Sequence, residues 1–280
     1  MGGEEVMKFS LILCTLNRKE ELMELFISLT NQSYKNFEII LVDQNESDIL
    51  IDLVKKFEKT LSIVHIKSEK GLSKSRNLGI KYAKGDILAF PDDDCIYEKN
   101  ILSEVNSILT TTVYDFISCN TKDKNKEESI VKMPQIESIM NGDIYKIIGV
   151  SITLFFKSNL IRSVGNFDEE LGVGAGTIYG AGEETDYLIR ALKKGFIGIY
   201  KPNLFIYHPA KETIYDRETC ARSKLYGGGT GKIARRYYNN YYKIRILLVP
   251  LIKLLLSIPR INKMNYYYQN FLGRWKGFLF

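Results

Sequence analysis

Short apolar runs alternate with stretches of helical spacing through the first third of the chain. Phe9-Ser10-Leu11-Ile12-Leu13-Cys14-Thr15 is a bounded apolar run, which predicts a buried strand. After a loop at 16–18, Leu22, Leu25, Phe26 and Leu29 recur at helical intervals and predict a helix over 20–30. The pattern repeats: a strand over 37–42 ending at Asp43, a helix over 49–59, a strand over 61–66 and a helix over 71–83. A fourth strand follows in Gly85-Asp86-Ile87-Leu88-Ala89-Phe90, and Pro91, which has no N–H to donate, stops it. Strands alternating with helices predict a parallel sheet with right-handed crossovers. Further on, the spacing predicts a helix over 101–109, a strand over 114–119, a mobile loop over the polar span 120–149, and a strand over 150–156. A short helix over 159–164 ended by Gly165, a helix over 184–193 and a strand over 196–200 complete the pattern.

The polar residues fall at the strand ends. Thr15 and Asn17 follow the first strand, Asp43 the second, and Asp92-Asp93-Asp94 the fourth. In open α/β sheets ligands bind outside the carboxyl ends of the strands, which makes this a nucleotide-type site. No dinucleotide fingerprint or P-loop is present to explain it otherwise. Three adjacent carboxylates repel one another unless solvent or a cation relieves them. Mg²⁺ takes one or two carboxylates together with substrate phosphates, so the triplet reads as a metal–diphosphate site, with a solvated acidic turn as the plainer alternative.

Two later stretches add chemistry. Five glycines lie in the eleven residues 172–182, a flexible or tightly turned loop that feeds a helix opening with Glu183, Glu184 and Asp186. Those acids either complement the helix dipole or place a general base at a pocket mouth. His208, between Tyr207 and Pro209, is either a metal ligand through a neutral ring nitrogen or a structural residue. His65, inside a predicted strand, reads as structural.

Charge changes the picture at the carboxyl-terminal end. The totals of 39 Lys+Arg and 33 Asp+Glu divide unevenly: twelve cations and no acids fall in 219–280, leaving 27 and 33, a net of −6, in residues 1–218. An acidic body with a basic tail points to a polyanionic partner, and places a domain division at 218/219. Gly227-Gly228-Gly229-Thr230-Gly231 in the tail reads as a hinge. Arg235-Arg236-Tyr237-Tyr238 and Tyr241-Tyr242-Lys243 then interleave cations with tyrosines, and 246–258 is almost wholly apolar. That run is shorter than the roughly 20 residues a span needs. It reads as a helix lying in a membrane interface, against the alternative of a core helix. The four cysteines show no paired spacing and the first residues no secretory pattern, so a reduced, cytoplasmic setting is expected.

Taken in order, these motifs resemble the inverting glycosyltransferases of family two, which have a GT-A fold. The likeness covers residues 8–210 and rests on Ser10-Leu11-Ile12-Leu13-Cys14-Thr15-Leu16-Asn17-Arg18, Glu38-Ile39-Ile40-Leu41-Val42-Asp43-Gln44, Gly71-Leu72-Ser73-Lys74-Ser75-Arg76-Asn77, Phe90-Pro91-Asp92-Asp93-Asp94 and Gly182-Glu183-Glu184-Thr185-Asp186. The Tyr207-His208-Pro209 step and the glycine-rich, basic tail are similar to bacterial members that build surface polysaccharides. The resemblance implies an α/β GT-A sheet flanked by helices and a helical tail. It implies transfer of one hexose or N-acetylhexosamine from a nucleotide-sugar, by default a UDP-sugar, to a hydroxyl of a glycan or polyprenyl-linked glycan. Asp92 and Asp94 correspond to the family's DxD pair for Mg²⁺ or Mn²⁺, with His208 beside them, and Asp93 faces the sugar. Thr15, Asn17, Arg18, Asp43 and Arg76 fall where the family holds the nucleotide-sugar. Glu184 falls at the base, with Glu183 its alternative because the family's Asp is replaced here by Glu. Processive members carry Gln-x-x-Arg-Trp; Gln269-Asn270-Phe271-Leu272-Gly273-Arg274-Trp275 is two residues too long, which implies a non-processive enzyme. The tail would hold the enzyme on the inner face of the cell membrane.

Two other classes are weighed. A sugar nucleotidyltransferase shares a related sheet but wants a glycine-rich basic loop after the first strand, where this chain has Thr15-Leu16-Asn17-Arg18. A nucleic-acid module would use the tail's Tyr/Arg interleaving for stacking, but has little use for the apolar run after Ile246, so no nucleic acid is expected as partner.

Overall fold

The computed structural model describes residues 6–124, 133–210 and 213–280. In chain order the first elements are β1 (Phe9–Thr15), α1 (Lys19–Thr30), β2 (Phe37–Asp43), α2 (Ile51–Phe57), β3 (Ile63–Lys67), α3 (Leu72–Ile80) and β4 (Ile87–Ala89). Then come β5 (Ile96–Tyr97), α4 (Ile101–Thr111), β6 (Phe116–Lys122), β7 (Ser138–Asn141), β8 (Leu154–Lys157), α5 (Ser158–Val164), α6 (Glu183–Lys193) and β9 (Ile197–Tyr207). The tail is helical: α7 (Arg217–Tyr237), α8 (Asn240–Leu255) and α9 (Ile261–Leu279).

Two compact units emerge. The first is residues 1–69, 75–166 and 188–210; the second is 70–74, 167–187 and 211–280. The second unit therefore takes in the glycine-rich loop and the first turns of α3 and α6, as well as the basic tail.

The first unit is a sheet in the order β3-β2-β1-β4-β8-β6-β9-β5, with β7 on β9. The β3-β2-β1-β4 half is parallel, and Thr15 lies directly opposite Asp43 in the register. β1 is the point where strand order reverses, with β2 on one side and β4 on the other. Its side chains alternate. Phe9, Leu11 and Leu13 join the core with Leu22, Leu25 and Phe26 of α1 and Ile101 and Val105 of α4. Ile12 faces the other way, against α3, where a Cβ at Gly79 would meet Ile12 Cγ2 at 2.5 Å. Beyond β4 the sheet is mixed, because β8 runs antiparallel to both β4 and β6.

Several expectations need correction. The span 120–149 is not one loop: β6 runs on to Lys122, and 138–141 form β7 against β9, while 125–132 lie outside the described residues. The strand expected over 150–156 starts later, because Ser151–Thr153 make a turn of 3₁₀ helix in which Thr153 Oγ1 accepts from the Val150 N–H at 3.1 Å. The strand over 196–200 is twice as long, since β9 resumes pairing past Pro202 after a register jump from Cys119↔Lys201 to Asn120↔Phe205. Pro202 cannot donate to the ladder, so the chain bulges there and rejoins it.

The largest correction lies in the second unit. The glycine run expected as a hinge is the middle of α7. A Cβ at Gly273 of α9 would collide with the Lys224 carbonyl oxygen, and one at Gly277 with that of Gly228. The glycines of α7 and α9 therefore let two helix backbones touch, and that packing outweighs glycine's poor helix propensity. No helix among the described residues is long and apolar enough to cross a membrane.

Candidate active site

The first unit gathers its polar residues where β1, β2 and β4 end. After Pro91 the chain rejoins β1 through a single bridge, Cys14↔Asp92. That bridge sets the acidic triplet abreast of Thr15. Thr15 Oγ1 donates to Asp93 Oδ2 at 2.8 Å, and Arg18 Nη1 donates to Asp93 Oδ1 at 2.8 Å and Asp94 Oδ2 at 2.7 Å. Burial pushes the Asp93 carboxyl up, and the Thr15 and Arg18 contacts offset part of that rise. Burial lowers the Arg18 guanidinium, but the two carboxylates outweigh it and raise it. Arg76 is buried beneath, with Nη2 at 3.7 Å from Asp92 Oδ1 and its guanidinium 5.9 Å from the Phe90 ring centre.

Asp92, Asp94 and His208 offer ligand atoms within 4.8 Å of one another. His208 follows β9 directly, and its backbone N–H donates to the Lys122 carbonyl at 3.0 Å. Its Nδ1 lies 3.0 Å from the Pro209 carbonyl and its Nε2 3.1 Å from Asp94 Oδ1; the imidazolium donates to both, and the neutral ring with its proton on Nδ1 offers Nε2 as a ligand atom. A backbone carbonyl on the far nitrogen is the usual way a ligating imidazole is oriented, so the donor set fits a divalent cation. Burial lowers the His208 ring while Asp94 and Asp92 raise it, and the net shift is upward.

Asp43 is fully buried at the end of β2. Its Oδ1 accepts from the Asn45 N–H at 2.9 Å and from Asn45 Nδ2 at 2.7 Å. Its Oδ2 faces His65 Nε2 and Lys67 Nζ, each at 3.0 Å. Burial pushes the Asp43 carboxyl up, and these hydrogen bonds more than reverse it, so it sits below the usual range. A carboxylate has about four acceptor positions; here Asn45, His65 and Lys67 take them. Asp43 thus meets its surroundings through those three residues. Asn17 is exposed at φ 58°, a left-handed conformation that asparagine tolerates, and its N–H donates to Asn45 Oδ1 at 2.7 Å. His65, Lys67 and Asn45 were not singled out in the sequence. The parallel register that sets Lys67 opposite Asp43 is the signal that finds them.

Glu183 and Glu184 belong to the second unit, on the first turn of α6. Gly172, Gly174, Gly176 and Gly182 all have positive φ, so the loop needs its glycines. A Cβ at Gly172 would lie 3.3 Å from the Glu183 carboxylate. Glu183 is buried and Glu184 half-buried. The third acid, Asp186, is held by α7: its Oδ1 accepts from Tyr237 Oη at 2.6 Å and lies 3.4 Å from Arg236 Nη1. Arg236 also donates to Asp168 at 2.6 Å, and Lys232 to Glu170 at 2.5 Å.

The comparisons with known proteins bear on this arrangement. A family model described as glycosyl transferase family 2 matches residues 10–169. The chain belongs to that family. Among curated relatives, the glycosyltransferase AglE of Haloferax volcanii is 25% identical over 63% of this chain and 61% of its own length. The poly(ribitol-phosphate) beta-N-acetylglucosaminyltransferase TarS of Staphylococcus aureus is 27% identical over 56% of this chain and 29% of its own. The chain thus spans less than two thirds of these relatives. Among solved structures, the mannosyltransferase PcManGT of Pyrobaculum calidifontis, in complex with GDP-Man and Mn²⁺, has a TM-score of 0.66, with 16% identity over 97% of this chain and 88% of its own. S. aureus TarS 1-349 with UDP-GlcNAc has a TM-score of 0.62, with 17% identity over 94% of this chain and 90% of its own. The fold is the GT-A fold expected from the motifs.

Proposed function

We propose that this family 2 protein is a metal-dependent, inverting glycosyltransferase. It moves one sugar from a nucleotide-diphosphate donor, by default a UDP-sugar, to a hydroxyl of a glycan or lipid-linked glycan in surface polysaccharide synthesis. The observation that carries the reading is the convergence of Asp92, Asp94 and His208 within 4.8 Å, at the carboxyl end of β1. The chain's membership of a glycosyltransferase family sets the nucleotidyltransferase reading aside.

In this reading the pocket formed by Thr15, Asn17 and the Asp43 cluster takes the nucleoside. Arg76 and Arg18 supply positive charge toward the diphosphate. Asp92, Asp94 and His208 hold Mg²⁺ or Mn²⁺, which when bound supplies Lewis-acid charge to the leaving diphosphate. Asp93, fixed by Thr15 and Arg18, faces the sugar. Glu184, the less buried acid of the first turn of α6, removes the proton from the acceptor hydroxyl as its oxygen attacks the anomeric carbon. Direct attack inverts that carbon and needs no covalent intermediate. Residues 219–280 contact an anionic membrane surface on its cytoplasmic side, where a lipid-linked acceptor is presented.

The test is a screen of sugar nucleotides for hydrolysis without acceptor, in Mg²⁺ and in Mn²⁺. One donor should release its nucleoside diphosphate only with metal. Absence of metal-dependent binding or turnover across UDP-, GDP-, ADP-, CDP- and dTDP-sugars would overturn the reading.

A further inference from the structure

The second unit leaves one helix face uncovered. On α8, Tyr241, Ile244, Leu248, Ile252 and Leu255 are between 48% and 68% exposed, while Pro250 on the same helix is buried. Their spacing of i, i+3, i+7, i+11 and i+14 makes a single stripe along a 3.6-residue helix. The stripe continues past the helix end through Leu256, Ile258 and Ile261, which are also exposed. Isolated apolar residues are ordinary on a protein surface, but a continuous stripe of this length marks an interaction surface.

Charge decides what the stripe meets. Lys243, Arg245 and Lys253 lie on α8, and Arg260 and Lys263 follow it. Lys243 packs 5.9 Å over Phe278, Lys253 5.7 Å over Tyr267 and Lys263 5.9 Å over Tyr215, all aromatic rings that leave the positive charge in place. Three of the tail's other cations behave differently: Arg222 pairs with Glu218, Lys232 with Glu170 and Arg236 with Asp168. No acid occurs after Glu218. A second copy docked stripe to stripe would bring these like charges together. A nucleic acid would satisfy the cations but leave the apolar stripe in water. An anionic bilayer satisfies both.

We propose that α8 and the turn after it are the membrane-docking element of this protein. α8 lies flat on an anionic lipid surface, with the stripe from Tyr241 to Leu255 among the acyl chains and the exposed Arg245, beside the stripe, and Arg260, in the turn after it, at the phosphates. The inference rests on the reading of residues 219–280 as membrane-contacting and narrows it to one helix. α7 and α9 are the platform, tied to each other through their glycines.

The test uses the full chain in co-sedimentation with phosphatidylcholine vesicles and with vesicles that also contain phosphatidylglycerol. The wild type should bind only the second. The triple variant Ile244→Gln, Leu248→Gln, Ile252→Gln should keep its circular dichroism and lose at least tenfold in binding. Each of Arg245→Gln and Arg260→Gln should lose about fivefold. Leu248→Trp in a Trp275→Phe background should shift its emission to the blue on anionic vesicles and be quenched by brominated lipid. If the wild type binds neither vesicle, the membrane reading itself fails. If the wild type binds and the triple variant binds as well, that reading stands and the role of α8 is overturned. If the triple variant instead converts a dimer to a monomer in light scattering, a second copy occupies the stripe and the inference is overturned.

Discussion

Asp43 in the first unit and Asp186 in the second are both buried aspartates, yet they are held in opposite ways. Asp43 takes its donors from Asn45, two residues on, and from His65 and Lys67 of the neighbouring strand β3. Asp186 takes its donors from Tyr237 and Arg236, some fifty residues later on α7. The contrast extends to their neighbours. At the strand ends Asp92 and Asp94 converge with His208, and the cations on this triplet, Arg18 and Arg76, come from the same unit. In the second unit Asp168, Glu170 and Asp186 each have a tail cation on them. The acids of the loop and α6 thus consume part of the tail's charge, and part of the surplus lies on α8. In the proposed function the first group of carboxylates works and the second holds.

Substitutions in the two groups should therefore fail differently. The largest effect is expected at Asp94. Asp94→Ala should cut metal-dependent transfer by about a thousandfold or more while the melting temperature stays near the wild type's. Chelation of the wild type should do the same. Activity that survives both would erase the distinction. Glu184→Gln should lower transfer by about 10²–10⁴ with unchanged donor affinity, measured by calorimetry. If it transfers normally, Glu183 is the base.

In the second unit the effect should be on stability. Tyr237→Phe removes a donor from buried Asp186 and should cost about 1–3 kcal/mol, read as a lower urea midpoint. Loss of transfer without loss of stability would move Tyr237 and Asp186 into the working group.

The difference between the units also sorts what was legible in the sequence. The parallel half of the sheet was readable because β1, β2 and β4 are short, mostly apolar runs and α1 carries its apolar residues at helical intervals. The strand-end residues were readable because Pro91 and Asp43 mark where the runs stop. The inner partners of Asp43 were not, since His65 and Lys67 acquire meaning only once β3 is in register with β2. The glycine run of α7 misled for a related reason. Glycine signals a break in an isolated helix, and only the backbone of α9 lying against it makes helix the better outcome. Local pattern carried the elements, and contacts between residues far apart carried the exceptions.

Arg18 offers a finer cut. It occupies Asp93 and Asp94 with a positive charge and so competes with any metal for the same acids. Arg18→Ala should tighten Mn²⁺ binding to the donor-free protein by about tenfold, read by the loss of the free-ion signal in electron paramagnetic resonance. Unchanged Mn²⁺ affinity would show that Arg18 does not offset the triplet's charge.

The smallest effect is expected at Asp43, and it tests whether that acid is purely a holding group. Its carboxyl is lower in the folded protein than its ordinary value near 3.9, because the hydrogen bonds from Asn45, Lys67 and His65 outweigh burial. A group lowered on folding stabilises the fold above its unfolded value, and that contribution is lost as pH falls through the folded value. Urea unfolding of the wild type should therefore weaken below about pH 4. Asp43→Asn should start less stable at neutral pH, since Lys67 and His65 lose their acceptor, and should show a flatter decline on the acid side. An unchanged acid slope would mean that the charge on Asp43 does nothing for the fold, leaving it free to act on the nucleoside directly.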